Sequence, residues 1–263
     1  KAKKDNAYQL PRIGFFNDTQ RDAIKGAEVY GGLKAGYVSG QATEDIIAKA
    51  ILGSSELGSY LTPSQVLNYV EAHDNFNLHD LLVDLHPDDD EVTRTKRIEL
   101  ATAMNLLMQG MAFMELGQEF SRTKLVGTGE EGQVLPSDRD RAMNSYNAPD
   151  AVNQVNWELI SQHQESIDYI KQIIRLKTSQ KEFSYQTYEE IYKHVFVREA
   201  FAGSGIVIFE LKDEKHYEII FNASGLPYYL ENADHLRLLV GNSRHKRPFY
   251  VENLTASVFE VIA

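Results

Sequence analysis

Short apolar runs alternate with segments of helical periodicity along the first two thirds of the chain. The apolar runs lie at residues 12–16, 66–70 and 111–116, and polar residues follow each run. Apolar positions recur at helical spacing in the segments between and after these runs, at 22–29, 43–52, 76–110 and 166–177. This alternation is typical of β/α units, so we expect an α/β region with a parallel sheet.

The pattern changes after residue 178. Apolar runs rich in β-branched and aromatic residues occur at 194–197, 205–209, 218–221 and 256–261, and polar turn residues separate them. We therefore predict two domains, an α/β domain at 1–178 and an antiparallel β domain at 179–263. The polar composition of residues 121–156 predicts one long loop. Loops of this length in compact domains are often functional.

Composition narrows the possible partners. Lys and Arg number 27 against 38 Asp and Glu, for a net charge of -11, which disfavours nucleic acid and anionic membrane surfaces as partners. No apolar run approaches the roughly 20 residues that span a bilayer. The absence of cysteine excludes disulfides and thiolate chemistry. The sequence therefore predicts neither a nucleic-acid nor a membrane partner.

His73, Asp74 and Asn75 follow the second predicted strand. In parallel α/β folds the active site lies beyond the carboxyl ends of the strands, so these residues are candidates for chemistry. The alternative is structural, because Asp74 or Asn75 would also suit the N-cap of a helix that begins at Phe76. The tripeptide alone leaves both interpretations open.

Two further groups occupy comparable positions. Glu119 and Arg122 follow the third predicted strand, and they could form either a binding site or a structural ion pair. Tyr146 lies among amide side chains in segment 144–150, which suits a sugar subsite with a stacking face but also suits an ordinary turn.

Other motifs give little support to a cofactor. Segment 127–132 has the spacing G-x-G-x-x-G, but its two glutamates would repel a pyrophosphate and no clear helix follows. The acidic segment 88–91 could bind calcium, although a solvated turn fits its composition better. The eight histidines show no metal-ligand spacing, so we predict no metal site in this chain.

Several motifs, in matching order and spacing, resemble the type I pullulanases of the α-amylase superfamily, with most likeness to streptococcal and related Gram-positive enzymes. The resemblance covers nearly the whole chain and weakens after about residue 179. The motifs are Arg12–Asp18, Arg21–Gly26, Asn68–Val70 with His73–Asn75, Gly117–Phe120 with Arg122–Lys124, and Asn144–Asn147 with Asp150, Asn153 and Trp157.

The resemblance implies strands six to eight of a (β/α)₈ TIM barrel, followed by an antiparallel β-sandwich domain. It implies that Asp74 is a catalytic carboxylate that holds the sugar 2- and 3-hydroxyls and favours ring distortion, while His73 donates a hydrogen bond nearby. The substrate-binding residues implied beside these are Asn75, Glu119, Arg122, Tyr146, Asn147, Asp150 and Asn153.

The family hydrolyses α-1,6 branch linkages in pullulan, amylopectin and glycogen by a retaining mechanism, without a required cofactor, and calcium is possible in the parent protein. The family's nucleophile and general-acid motifs do not occur between Lys1 and Ala263. We therefore expect the isolated chain to be inactive and the remaining N-terminal part of an extracellular or cell-surface parent to supply those groups. One alternative is an isoamylase or amylopullulanase. The other is a non-catalytic glycan-binding fragment.

Overall fold

The computed structural model describes residues 1–29, 32–231, 233–241 and 250–262. The helices are α1 (Asp18–Lys25), α2 (Glu44–Ile51), α3 (Leu78–Leu85), α4 (Glu91–Leu107), α5 (Pro136–Met143), α6 (Asp150–Asn153), α7 (Leu159–Gln162), α8 (Gln164–Ser179) and α9 (Tyr188–His194). The strands are β1 (Phe15–Phe16), β2 (Gly26–Val29), β3 (Gly32–Ala35), β4 (Val66–Asn68), β5 (Met111–Ala112), β6 (Val195–Glu199), β7 (Ile206–Lys212), β8 (His216–Asn222), β9 (Tyr228–Tyr229), β10 (Leu236–Gly241), β11 (Tyr250–Val251) and β12 (Thr255–Val261).

The three predicted strands of the first region form a parallel sheet in the order β1-β4-β5. Phe15 lies opposite Val66, and Leu67 lies opposite Met111. Each strand is only two or three residues long. The carboxyl ends of the three strands lie on the same side, which brings the segments after them together.

The predicted antiparallel region forms a five-stranded sheet in the order β10-β12-β8-β7-β6. Its central strands β7, β8 and β12 are largely buried, which explains their near-continuous apolar sequences. Two short antiparallel ribbons, β2-β3 and β9-β11, accompany the two larger sheets.

Helix α1 starts and ends at other residues than the sequence predicted. The expected helix at 22–29 was wrong in its bounds, because Asn17 caps a helix that starts four residues earlier, at Asp18, and accepts a hydrogen bond from the backbone N–H of Gln20. The helix stops at Gly26, whose φ of +103° favours glycine, and a Cβ there would lie 2.1 Å from the carbonyl oxygen of Lys34. The chain then turns into the β2-β3 ribbon.

Two other predictions need correction. Segment 121–156 is not a continuous loop, because it contains α5 and α6, and Pro136 occupies the first turn of α5, where proline suits a helix. The predicted β-rich region also begins with a helix, α9. Thr187 and Glu190 form a reciprocal capping box at its start.

A single cluster of buried apolar residues runs from the helices into the five-stranded sheet. Ile51, Met104 and Ile173 on α2, α4 and α8 belong to it together with Phe209 and Phe221 on β7 and β8. The two regions are therefore packed together by a shared core, and a domain boundary near residue 178 stays a prediction. In the described part of the chain, no helix combines the length and the apolar character needed to cross a membrane.

Candidate functional site

The segment after β4 presents two ionisable side chains to solvent. The side chains of His73 and Asp74 are each 76% exposed, and His73 Nε2 lies 3.4 Å from Asp74 Oδ1. Asn75 has a left-handed backbone with φ of +66°, which asparagine tolerates better than most residues. The chain therefore makes a sharp turn directly after the exposed pair. We call residues 73–75 the His-Asp loop.

The helix-cap alternative for Asp74 and Asn75 is not what the structure shows. Helix α3 begins at Leu78, two residues later than the predicted start, and the backbone N–H of Leu78 donates to Glu71 Oε2 at 2.7 Å. The N–H of Phe76 donates to Glu28 Oε1 at 3.0 Å. Carboxylates on other segments thus satisfy the backbone donors at this turn.

Two buried lysines bind the backbone of the same turn from beneath. Lys124 Nζ donates to the carbonyl oxygens of His73 at 3.1 Å and Asn75 at 2.7 Å. Lys25 Nζ donates to the carbonyl oxygen of Phe76 at 2.8 Å. The side chains of the His-Asp loop are therefore exposed while its backbone is fixed to the interior.

Two carboxyl groups, those of Glu71 and Asp80, are buried near the two lysines. The fully buried Asp80 accepts hydrogen bonds from the hydroxyl of Thr123 and from the backbone N–H of Lys124. Burial lowers the pKa of both Lys25 and Lys124, while nearby carboxylates act in the opposite direction. Burial raises the pKa of the Glu71 carboxyl to about 7, although the Leu78 N–H and Lys25 partly offset this.

Arg122 connects the His-Asp loop region to α6. Its Nη1 lies 3.3 Å from Glu115 Oε1, and its Nη2 donates to the carbonyl oxygen of Asn153 at 2.6 Å. Its own carbonyl oxygen accepts a hydrogen bond from Asn77 Nδ2 at 3.1 Å. The carboxylate partner of Arg122 is thus Glu115, and the alternative of a structural pair with Glu119 is wrong in its partner.

The other predicted site residues lie in different settings. Tyr146, Asn147 and Asp150 are exposed, with the Tyr146 residue 76% accessible. Asn153 is partly buried, and its Nδ2 donates to the carbonyl oxygen of Ser145 at 2.7 Å, which fixes the turn that carries Tyr146. The short 3-10 turn Gln118–Phe120, which carries Glu119, packs against α4 and α8. Among the predicted residues, Arg122 and Asn153 are joined directly by a hydrogen bond.

Sequence reasoning did not select Lys25, Glu28, Glu71 or Lys124, which hold the turn. Glu71 directly follows an apolar strand, and this position gave the only signal for it. Lysine and glutamate are mostly exposed, so nothing in the sequence distinguishes the buried members of these residue types. Their role became visible only through burial and hydrogen bonding.

The acidic segment 88–91 has other roles in the structure. Asp89 Oδ2 lies 2.7 Å from Arg97 Nε, and Asp90 caps α4 by accepting from the N–H of Thr93. Within the described ranges, no group of three or more His, Asp or Glu side chains is arranged to hold a metal ion.

Comparison with known proteins shows a consistent set of relatives. No family model matches the chain. A pullulanase from Bacillus subtilis strain 168 is 35% identical over 201 residues, which cover 74% of this chain and 26% of that protein. Pullulanase A of Streptococcus pneumoniae is 25% identical over 72% of this chain and 17% of its own length.

A solved structure extends the similarity to the whole fold. The crystal structure of an Anoxybacillus pullulanase complexed with maltotetraose superposes with a TM-score of 0.82 at 30% identity. The match covers 98% of this chain and 36% of that protein. The matched regions therefore span between about a sixth and about a third of the length of these relatives.

Proposed function

This chain belongs to the pullulanase family, and we propose that it is the C-terminal portion of an enzyme that hydrolyses α-1,6-glucosidic branch linkages. The 35% identity to the Bacillus pullulanase carries the proposal, and the fold match at 30% identity supports it. The substrates we infer are pullulan, amylopectin and glycogen. A maltotetraose complex of a related pullulanase agrees with an α-glucan substrate.

The parallel sheet supports the view that the parent protein contributes more strands. In the described part of the chain, β1 and β5 each pair with one neighbour, and three strands cannot close a barrel. Apolar side chains next to these edges are exposed, with Ile13 and Phe16 at 49% and Met111 at 40%. We propose that β1, β4 and β5 are strands six, seven and eight of a (β/α)₈ barrel completed by the N-terminal part.

In the proposed mechanism Asp74 acts on the sugar at the cleavage point. Its carboxylate accepts hydrogen bonds from the 2- and 3-hydroxyls, and these bonds strengthen as the ring flattens toward an oxocarbenium-like transition state. His73 donates a hydrogen bond beside it. A retaining mechanism also needs a nucleophilic carboxylate and a carboxylic acid about 5 Å apart, and we assign both to the N-terminal part.

The exposed ring of Tyr146 offers a face on which a glucose unit can stack, and Asn147 and Asp150 supply polar groups next to it. Arg122 and Asn153 are largely used in hydrogen bonds that hold this surface. We therefore propose direct sugar contacts for Tyr146, Asn147 and Asp150 and a supporting role for Arg122 and Asn153.

The proposal is tested by Asp74→Asn in the full-length protein that contains this chain. Because the amide cannot match the carboxylate in the transition state, we expect kcat on pullulan to fall at least about 100-fold with pullulan binding retained. Reducing-sugar release measures this. Asp168→Asn, an equally simple change at an exposed carboxylate on α8, is the control and should leave kcat unchanged.

Wild-type kcat in Asp74→Asn would remove Asp74 from the catalytic group. The isolated chain is assayed in parallel and should release no reducing sugar. Glycogen binding by the isolated chain without hydrolysis by the full-length protein would instead favour a glycan-binding role. Higher activity on amylopectin than on pullulan would favour an isoamylase-type enzyme.

A further inference from the structure

The side chains and the backbone of the His-Asp loop have opposite environments. The His73 and Asp74 side chains are mostly exposed, whereas the carbonyl groups on both sides of Asp74 bind a single buried ammonium group. We propose that Lys124 is a positioning residue that holds the Asp74 carboxylate in its catalytic orientation. This inference rests on the proposed function, since it concerns the same reaction.

The hydrogen bonds of Lys124 fix the loop at the two points that matter for Asp74. The carbonyl of His73 belongs to the peptide bond that joins His73 to Asp74, and it lies 3.1 Å from Lys124 Nζ. The carbonyl of Asn75, 2.7 Å away, follows the left-handed turn. Because the turn directs both carbonyls to one donor, the backbone of Asp74 is held from both sides.

Lys124 is itself held in place by α3. Its backbone N–H donates to Asp80 Oδ2 at 2.9 Å, and Asp80 is fully buried on α3. The hydroxyl of Thr123 binds the other oxygen of the same carboxylate. Segment 123–124, which follows β5, is therefore tied to the helix that follows β4, and Lys124 extends from this junction to the loop.

Lys124 does not reach the exposed surface, so it cannot act on the sugar directly. The residue is 2% exposed, and its ammonium group contacts backbone oxygens. A buried carbonyl that loses its donor pays a desolvation penalty, so removal of the ammonium group should let the loop move toward water. Displacement of a catalytic group by about 1 Å can cost on the order of 100-fold in rate.

Lys177 provides a matched control for this experiment. It is a partly buried lysine, and its Nζ likewise donates to two backbone carbonyl oxygens, those of Met108 at 2.6 Å and Phe183 at 2.8 Å. Those carbonyls lie outside the His-Asp loop. Lys177→Met therefore imposes a comparable loss of hydrogen bonds without releasing Asp74.

The test compares Lys124→Met with Lys177→Met in the full-length protein, on pullulan. We expect Lys124→Met to lower kcat by about 10- to 100-fold while KM changes less than about threefold, because transition-state contacts are lost more than ground-state binding. Lys177→Met should lower the melting temperature but keep kcat within about twofold of wild type, since its carbonyl partners lie outside the loop. Hydrogen exchange at residues 73–76 should accelerate only in Lys124→Met.

A double variant identifies the group through which Lys124 acts. If Lys124 acts through Asp74, then Lys124→Met should lower kcat little further in an Asp74→Asn background. The inference would be overturned if Lys124→Met lowered kcat by the same factor in the wild-type and Asp74→Asn backgrounds. Equal kcat losses in Lys124→Met and Lys177→Met would also overturn it. Wild-type kcat in Asp74→Asn would reject the catalytic role of Asp74, and failure of the wild-type full-length protein to hydrolyse pullulan would reject the proposed function. Both outcomes are distinguishable from a failure of the inference about Lys124.

Lys124→Gln is prepared in case Lys124→Met does not fold. Its amide retains a donor that can bind one of the two carbonyls, so its kcat should lie between wild type and the value expected for complete loss. Wild-type kcat and hydrogen exchange in Lys124→Gln would contradict the role of Lys124.

Discussion

Single buried charges determine the local structure of the candidate site. Lys25, Glu71, Asp80 and Lys124 are all almost inaccessible. Lys25, Glu71 and Lys124 bind backbone groups at or next to the turn that follows β4, and Asp80 binds the backbone N–H of Lys124. Burying charged groups is costly unless they are paired, so this arrangement is stable only as a set. The pairing is incomplete at Glu71, since its Oε1 has no hydrogen-bond partner among the residues that the structure describes, and burial raises the pKa of this carboxyl.

Glu71→Gln should change how stability depends on pH. The folded-state pKa of about 7 lies above the ordinary value of 4.5, so the folded state disfavours ionisation. Stability from this group is fully present below pH 4.5 and is lost as pH rises to about 7. The difference between these two pKa values corresponds to on the order of 3 kcal/mol of folding free energy. Glutamine has no such cost and keeps an acceptor for Leu78.

Urea denaturation at pH 4.5 and pH 8 measures this effect. The free energy of unfolding of Glu71→Gln should be close to that of wild type at pH 4.5 and higher at pH 8. Glu165→Gln, at an exposed position on α8, should differ from wild type by less than about 0.5 kcal/mol at both values. An equal effect of Glu71→Gln at both pH values would show that Glu71 is not a buried acid.

Elements are specified by their ends as much as by their apolar patterns. Helix α9 lies where the β-rich composition predicted a strand region, and the capping box of Thr187 and Glu190 marks its start. The sequence contains this T-x-x-E signal, but the neighbouring aromatic and β-branched residues outweighed it in the prediction. Helices α5 and α6 were missed because their sequences are polar and short.

Thr187→Ala should destabilise α9. The hydroxyl accepts from the backbone N–H of Glu190, and loss of such a cap costs about 1 kcal/mol. Thermal unfolding and hydrogen exchange at residues 188–191 measure the change. Thr178→Ala is the control, because its exposed hydroxyl only donates back to the carbonyl of Ile174 within α8 and its removal should be nearly neutral. Equal effects of the two variants would contradict a capping role.

At the scale of the whole molecule, buried hydroxyls join the helices to the five-stranded sheet. The single hydroxyl hydrogen of Tyr37 is shared between the carbonyl oxygens of Gly205, at 2.7 Å, and Phe221, at 3.0 Å, and Tyr169 on α8 donates to that of Ala256 at 3.0 Å. Glu44 accepts from the N–H groups of Gly203 and Gly205. Hydrophobic contacts in the shared core are not directional, so these hydrogen bonds help to fix the orientation of the helices relative to the sheet.

Tyr37→Phe should weaken this junction without creating a cavity. The ring is retained while the buried hydroxyl is lost, so we expect a decrease of about 1–2 kcal/mol in the free energy of unfolding. Tyr192→Phe, which removes an exposed hydroxyl bonded to Ser55, should cost less than about 0.5 kcal/mol. Denaturation of the full-length protein and hydrogen exchange at residues 205–209 report the difference. A neutral Tyr37→Phe would show that packing alone joins the two regions.

The sequence by itself determined the order of the main elements. Period-two and period-3.6 patterns report which face of a segment is buried, so the three parallel strands, α4, α8 and four of the antiparallel strands were predicted close to their observed positions. Their exact bounds were less well predicted, in part because the ends of α1 also depend on segments further along the chain. Asn17 Nδ2 binds Ser54 and Asn68, and Gly26 lies against the backbone of Lys34. The same local patterns placed His73 and Asp74 directly after a strand.

Only the tertiary structure decided how the candidate site is held. Lys25, Glu71 and Lys124 are separated by up to about a hundred positions in the sequence, yet they meet beneath the His-Asp loop. A local pattern cannot show which of many charged residues is buried, since burial depends on the packing of segments that are far apart in the chain. For the same reason the local pattern did not show that Glu119 lies next to residues of α4 and α8, and its assignment to the sugar-binding residues stays a prediction.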